Sequence, residues 1–273
     1  MNNQDLKTLQ QLELKIAKEI NRVCEIIGIR YFLIGGTFLG AVRHKGFIPW
    51  DDDIDVGMIR EDYERFMKEA PEYLGDEFFL QNWDTDPNYP FSFGKLRLNG
   101  TVVVEKMNDG VEGHKGVFLD IFPYDNVPED PKLQKKQARN IYILKKMMWI
   151  KKGYGKNLQN DGIKMWLKYN GARLCTSFVS YAWIKETYSK ELTKYNGRHT
   201  EKLFISCLYS YEKSCVERKW VEELANYEFE DAFFPAPRDY DSFLTALYGD
   251  YMTLPPVEKR HTHEIQSLIL EDI

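Results

Sequence analysis

Four aspartates, Asp51, Asp52, Asp53 and Asp55, fall within five positions of a 273-residue chain. Like charges packed that closely repel one another unless something cationic neutralises them. A solvated acidic turn accounts for Asp51 and Asp52. It does not account for Asp55, which stands between Ile54 and Val56 in an apolar run. Alternate residues of a strand share a face, so Asp51, Asp53 and Asp55 point the same way if the strand reaches back that far. Carboxylates two positions apart lie roughly 6–7 Å apart at the backbone and can converge on a hard cation. Mg²⁺ suits them best, because it takes one or two carboxylates together with substrate phosphates; Mn²⁺ is the substitute. A third carboxylate is expected from a neighbouring strand at Asp120, which sits between Leu119 and Ile121 in GVFLDIFPY. Burying that acid alone would be costly, and a metal shared with Asp53 and Asp55 would remove the cost. Asp53, Asp55 and Asp120 are therefore expected as catalytic residues and metal ligands, with Asp51 in support; for Asp120 the role of base towards an attacking hydroxyl is the alternative.

Just upstream, Gly35-Gly36-Thr37 separates a short apolar run from a helical one. Glycine lets the backbone approach an anion closely, and a helix N-terminus favours phosphate. Gly35, Gly36 and Thr37 are expected to hold phosphate, the Thr37 hydroxyl capping the helix or binding an oxygen. Arg43 and His44 follow the helix as further phosphate candidates, Arg43 with a pairing to Asp51 as its alternative. Trp50 and Pro49 are expected to shape the turn. His261 and His263 fit no metal or nucleophile pattern and are expected at the surface.

The elements that must position these groups follow from periodicity. Residues 5–27 carry Leu6, Leu9, Leu12, Ile16, Ile20, Val23 and Ile27 at helical spacing. A strand at 31–34 precedes a short helix starting near Thr37, and Ile54–Met58 reads as the next strand. A helix starts near Glu61 and stops at Pro71. Residues 78–83, 91–98, 101–106 and 116–121 read as strands, with Asn99-Gly100 as a hairpin turn. After Pro131 long helices are expected at 131–152, 161–195 and 199–224, then one near 239–248. The fold class is α/β (α+β): a mixed sheet with flanking helices over residues 1–127 and a mainly helical part over 128–273.

Composition narrows the setting. With 43% hydrophobic and 14% aromatic residues the chain can bury a substantial core. No run approaches the ~20 apolar residues of a membrane span, and the N-terminus lacks a signal-peptide core, so a cytoplasmic location is expected. Cys24, Cys175, Cys207 and Cys215 show neither zinc nor disulfide spacing. Residues 132–173 carry twelve Lys or Arg against Asp161 alone, in a chain of net charge −5. That asymmetry points to an anionic surface, either an anionic membrane touched peripherally or a phosphate-rich acceptor. A solvated helix face is the plainer alternative.

The run G-G-T-x-L-G-A-x-R-H-x-G-F-I-P-W-D-D-D-I-D-V, residues 35–56, resembles the LicD family of the nucleotidyltransferase superfamily, which includes the fukutin-related proteins. The stretch 234–256 resembles the end region of that family. The resemblance implies a nucleotidyltransferase-like core. Its implied activity is transfer of phosphocholine, or a similar substituted phosphate, from a CDP-linked donor such as CDP-choline. The acceptor is a sugar hydroxyl of a free or lipid-linked surface glycan, teichoic acid or lipopolysaccharide, and no nucleic acid takes part. Choline binds over aromatic faces, which brings in Trp83, Tyr89, Phe91 and Tyr124. Two alternatives stay open: an enzyme that adenylylates a small molecule from ATP, and a non-catalytic polyanion-binding protein.

Overall fold

The computed structural model describes residues 1–106, 109–156, 162–205, 211, 214–260 and 262–270; His261, Asp161 and Cys207 lie outside them. Helix α1 (Asn3–Ile27) begins where the Asn2 side chain accepts from the Asp5 N–H and stops at Gly28 in the left-handed region. Its apolar stripe, Leu9, Ile16, Ile20 and Val23, is buried. Then follow β1 (Phe32–Leu33), α2 (Gly35–His44), β2 (Asp55–Ile59), α3 (Arg60–Glu69), β3 (Phe78–Gln81), β4 (Gly94–Leu98), β5 (Val102–Glu105) and β6 (Phe118–Asn126). The chain continues through α4 (Pro131–Lys151), α5 (Ile163–Ser177), α6 (Tyr181–Thr193), β7 (Lys202–Ile205), β8 (Cys215–Glu217) and α7 (Arg218–Glu222). It closes with β9 (Leu224–Phe229), β10 (Ala232–Pro237), α8 (Tyr240–Tyr248) and β11 (Ile265–Ile269).

The α/β class expected from the periodicity is the one observed. The main sheet runs β1-β2-β6-β4-β3, with β7 added to β6 and β8 to β7. Its central pair, β2 and β6, is parallel with Asp55 opposite Asp120, and β4 joins antiparallel with Lys95 opposite Asp120. Directly paired residues share a sheet face. Three charged side chains thus stand in one row across the sheet. The residues between them in sequence, Val56, Leu96, Leu119 and Ile121, are buried in the core.

Several local expectations give way to tertiary structure. β2 begins at Asp55, so Asp51 and Asp53 precede the strand rather than extend it. Asn99-Gly100 turns the chain, but β4 and β5 do not pair: β5 leaves for a two-stranded sheet with β11. The stretch 161–195 is two helices, α5 and α6. The stretch 199–224 holds β7 and β8 in place of a long helix, because Leu203–Ile205 complete the backbone pairing of Tyr124–Asn126. Docking on an open sheet edge overrides local helix preference. A second apolar cluster, Ile141, Leu144, Met148, Ile184, Tyr188 and Leu192 with Phe204 of β7, ties α4 and α6 to this edge.

The same edge is pinned by charge. Arg60 at the start of α3 forms two hydrogen bonds to the buried Asp125 of β6, at 2.8 and 2.6 Å, and Asn196 Nδ2 donates to the same carboxylate at 2.6 Å. Removing one partner of such a pair strands the other charge. Asp125→Ala is therefore expected to lower unfolding free energy by about 3–5 kcal/mol, read as a fall in urea midpoint. A loss within error would show the pair to be dispensable.

Candidate functional site

The Asp51–Asp55 loop is held from four sides. From the sheet, the Asp120 N–H donates to the Ile54 carbonyl at 3.0 Å. From α1, Gln10 Nε2 donates to the Asp51 carbonyl at 2.9 Å. From α2, the Thr37 hydroxyl accepts from the Asp55 N–H at 2.9 Å. From the C-terminal segment, His263 meets the Asp52 carboxylate through its N–H and its Nδ1, both at 2.9 Å.

Helix α2 starts at Gly35, two residues earlier than its periodicity indicates, with Ile34 as its N-cap and no side-chain cap bond. The glycines face the acids directly. Gly35 has φ +57°, and a Cβ there would lie 3.3 Å from Asp55 Oδ2; a Cβ on Gly36 would lie 2.7 Å from Asp51 Oδ2. Two side-chain-free positions thus let a helix N-terminus close on two carboxylates, an arrangement its dipole favours. Thr37 is buried, and its hydroxyl serves the Asp55 amide in place of the helix cap.

Charge does not balance here. Burial pushes the Asp53 carboxyl up to about 6, with Asp52 and Asp120 adding to the rise and His263 and Lys95 opposing it. Burial, then Asp53 and Asp52, push Asp51 up to about 8. Burial raises Asp55 well above the usual carboxylate range, helped by Asp53 and Asp120. Asp120 is raised by burial in spite of Lys95. Underneath, Glu13 of α1 is buried with Oε2 lacking a hydrogen-bond partner, and burial and the four loop aspartates drive its carboxyl far up.

Against this negative charge stands Lys95, which sequence reasoning passed over. Its Nζ lies 2.5 Å from Asp120 Oδ1 and 3.4 Å from the centre of the Phe118 ring. The signal was present: like Asp120, Lys95 is a charged residue in an apolar strand, beside Leu96 and Leu98. His263 is the second cation. It is exposed, as expected, but its imidazole binds the buried Asp52, which with the neighbouring Asp53 lifts its pKa to about 10.

Arg43 does not pair with Asp51. It donates to the Tyr251 carbonyl at 2.7 Å because the C-terminal segment passes beside α2. His44 lies edge-on to Trp50, and Arg260 covers the other ring contact of Trp50 at 4.6 Å from its centre. Tyr251, Arg260 and His263 thus meet Arg43, Trp50 and Asp52 in turn. Of the aromatic candidates, Tyr89 and Phe91 belong to a continuous cluster with Phe93, Phe122, Trp149 and Tyr154, and Phe93 also flanks Lys95. Trp83 instead packs on Tyr188, and Tyr124 on Phe32.

Could the acids hold Mg²⁺? Among the described residues no three His, Cys, Asp or Glu side chains are gathered closely enough to form a complete metal cage. The donor set nevertheless fits a cation that needs one or two carboxylates and takes its other oxygens from phosphate and water. Protonation-prone, buried carboxyls facing one lysine are the electrostatic counterpart of that fit.

Residues 28–136 match a family described as LicD/FKTN/FKRP, nucleotidyltransferase domain. The chain is 31% identical to the lipopolysaccharide cholinephosphotransferase LicD of Haemophilus influenzae over 97% of its own length and 98% of that protein. It is 50% identical to human ribitol 5-phosphate transferase FKRP over 46 residues, 17% of this chain and 9% of that one. An uncharacterized Rickettsia prowazekii protein is 37% identical over 42% of the chain and 40% of its own length.

The Asp52–His263 bond has a pH signature. A histidine with pKa raised to about 10 in the fold, against about 6.5 unfolded, contributes stability fully below pH ~6.5 and loses it as pH rises through about 10. The difference in urea midpoint between wild type and His263→Ala is expected to be largest near pH 6 and to shrink towards pH 10. A difference independent of pH would reject the ion pair.

Proposed function

Because the chain belongs to the LicD family, we propose that it transfers phosphocholine, or a closely similar substituted phosphate, from a CDP-linked donor to a sugar hydroxyl. The acceptor is a cell-surface glycan, free or lipid-linked, of the lipopolysaccharide or teichoic acid kind, and the reaction depends on Mg²⁺ or Mn²⁺. The carrying observation is the row Asp55–Asp120–Lys95 beside the N-terminus of α2, with more half-buried carboxyls than cations to match them.

In this mechanism Asp53 and Asp55 would hold the metal, with Asp51 in support. When bound, the ion neutralises the diphosphate of the donor and orients it. The Gly35–Thr37 backbone at the start of α2 receives phosphate oxygens, and Arg43 and His44 at its far end stand by for the nucleotide side. The sugar hydroxyl oxygen forms a bond to the choline-bearing phosphorus, the bridging P–O bond breaks, and CMP leaves. The hydroxyl proton passes to Asp120, which Lys95 holds in one orientation. Phe91, half-buried in its aromatic cluster, offers the quaternary ammonium an aromatic face. Residues 1–127 form the catalytic core, and residues 128–273 complete it through the Tyr248–His263 segment. Such a donor places the reaction in the cytoplasm, at the inner face of the membrane for a lipid-linked acceptor.

The test is to supply Mg²⁺, a glycan acceptor and CDP-choline, CDP-ethanolamine, CDP-glycerol, UDP-sugars or ATP in turn, and to follow nucleotide release. CMP with phosphocholine on the glycan is the expected outcome; AMP left on an acceptor would overturn the proposal. Asp55→Asn and Asp120→Asn are expected to cut turnover at least about a hundredfold without loss of fold; full activity in either would remove that residue from the mechanism.

Metal binding has its own readout. Asp51 and Asp53 titrate near 8 and 6, above their unfolded value of about 3.9. Their contribution to stability is full below that value and is lost as pH rises through 6 and 8, where a cation offsets the loss. Mg²⁺ should therefore raise Tm more at pH 8 than at pH 5, and Asp55→Asn should reduce that gain. Equal shifts at both pH values would contradict metal binding at these acids.

A further inference from the structure

Helix α5 is turned inside out for a helix in water. Its inward face, Met165, Tyr169, Ala172 and Thr176 at spacings of three and four, packs towards α4, and Thr176 is its buried position. The outward stripe should then be polar. Instead it carries Ile163, Trp166, Leu167 and Leu174, continued by Phe178, at 70, 47, 58, 65 and 88% exposure. These positions fall on one side of the helix, with Asn170 and Gly171 in the turn between Leu167 and Leu174, and large exposed apolar groups so aligned mark an interaction surface. Lys164, Lys168 and Arg173, all exposed, border it.

We propose that this face of α5 lies in the interface of an anionic lipid bilayer, its apolar stripe inserted among the acyl chains and its lysines and arginine at the headgroups. Charge selects this occupant. Residues 132–173 hold twelve basic residues against one acid, so two copies meeting through this face would oppose like charges, whereas an anionic membrane complements them. Among the described residues no helix is long and apolar enough to cross a membrane, so α5 lies along the surface. At 15 residues it spans about 22 Å. The contact is therefore apolar insertion guided by charge, which differs from a purely electrostatic contact in surviving salt. It goes beyond the transfer reaction and holds whichever head group is transferred.

Full-length protein is sedimented with vesicles of phosphatidylcholine alone and of phosphatidylcholine with phosphatidylglycerol, at low and high salt. Wild type is expected to bind the mixed vesicles, with part of the binding kept at high salt, since insertion is not screened. The triple variant Leu167→Ser, Leu174→Ser, Phe178→Ser should bind at least about tenfold more weakly, with unchanged Tm and unchanged CMP release on a soluble acceptor. Lys164→Glu with Lys168→Glu should weaken binding at low salt. Absence of wild-type binding, or equal binding by the triple variant, would overturn the proposal. So would a concentration-dependent dimer in light scattering that the triple variant abolishes. Failure of phosphocholine transfer alongside intact vesicle binding would overturn the enzymatic proposal and leave this one standing.

Discussion

A surplus of negative charge, buried at Glu13 and Asp52 and half-buried at Asp51, Asp53, Asp55 and Asp120, organises this molecule. Glu13, Asp51, Asp52, Asp53, Asp55 and Asp120 come from one helix, one loop and two strands, and each lies within electrostatic reach of others in the group. Lys95 and His263 oppose them at hydrogen-bond distance. Such a cluster is tolerated in a folded protein when its carboxyls hold protons or when cations arrive. The surrounding architecture is largely the means of holding it together: a parallel strand pair in register, a glycine-started helix, and a C-terminal segment that crosses the loop.

Part of this was legible from residue types alone. A charged side chain within an apolar run identifies a buried charge, and that rule marks Asp55 and Asp120 correctly as strand neighbours. It marks Lys95 equally well. Attention to acids alone left it out, although a buried acid asks at once for its cation. Gly35-Gly36 was legible as a place of close approach. What approaches at those positions in the structure is the protein's own Asp51 and Asp55.

The remainder was hidden because it depends on contacts distant in sequence. His263 and Asp52 are 211 positions apart, and nothing local to either announces the other. Arg43 finds the carbonyl of Tyr251, 208 positions away. The residues of β7 were read as helical because their local pattern does not reveal that β6 has an open edge to fill. Helix α5 was the opposite case: its helical period is plain, but only the packed structure shows which of its two apolar faces is covered.

The span between His263 and Asp52 also bears on how the chain reaches its final form. Domains form as their segments emerge from the ribosome, and pairings between distant residues form late. The helix, strands and glycine turn that surround the aspartates all lie before residue 127 and can assemble before His263 is added. The histidine that pairs with Asp52 emerges 211 positions after it, together with the strand that completes the sheet of β5. Until then the acidic loop is under-neutralised and is best served by water. The core of the molecule can therefore mature before its chemistry does, and the loop settles when β11 docks on β5.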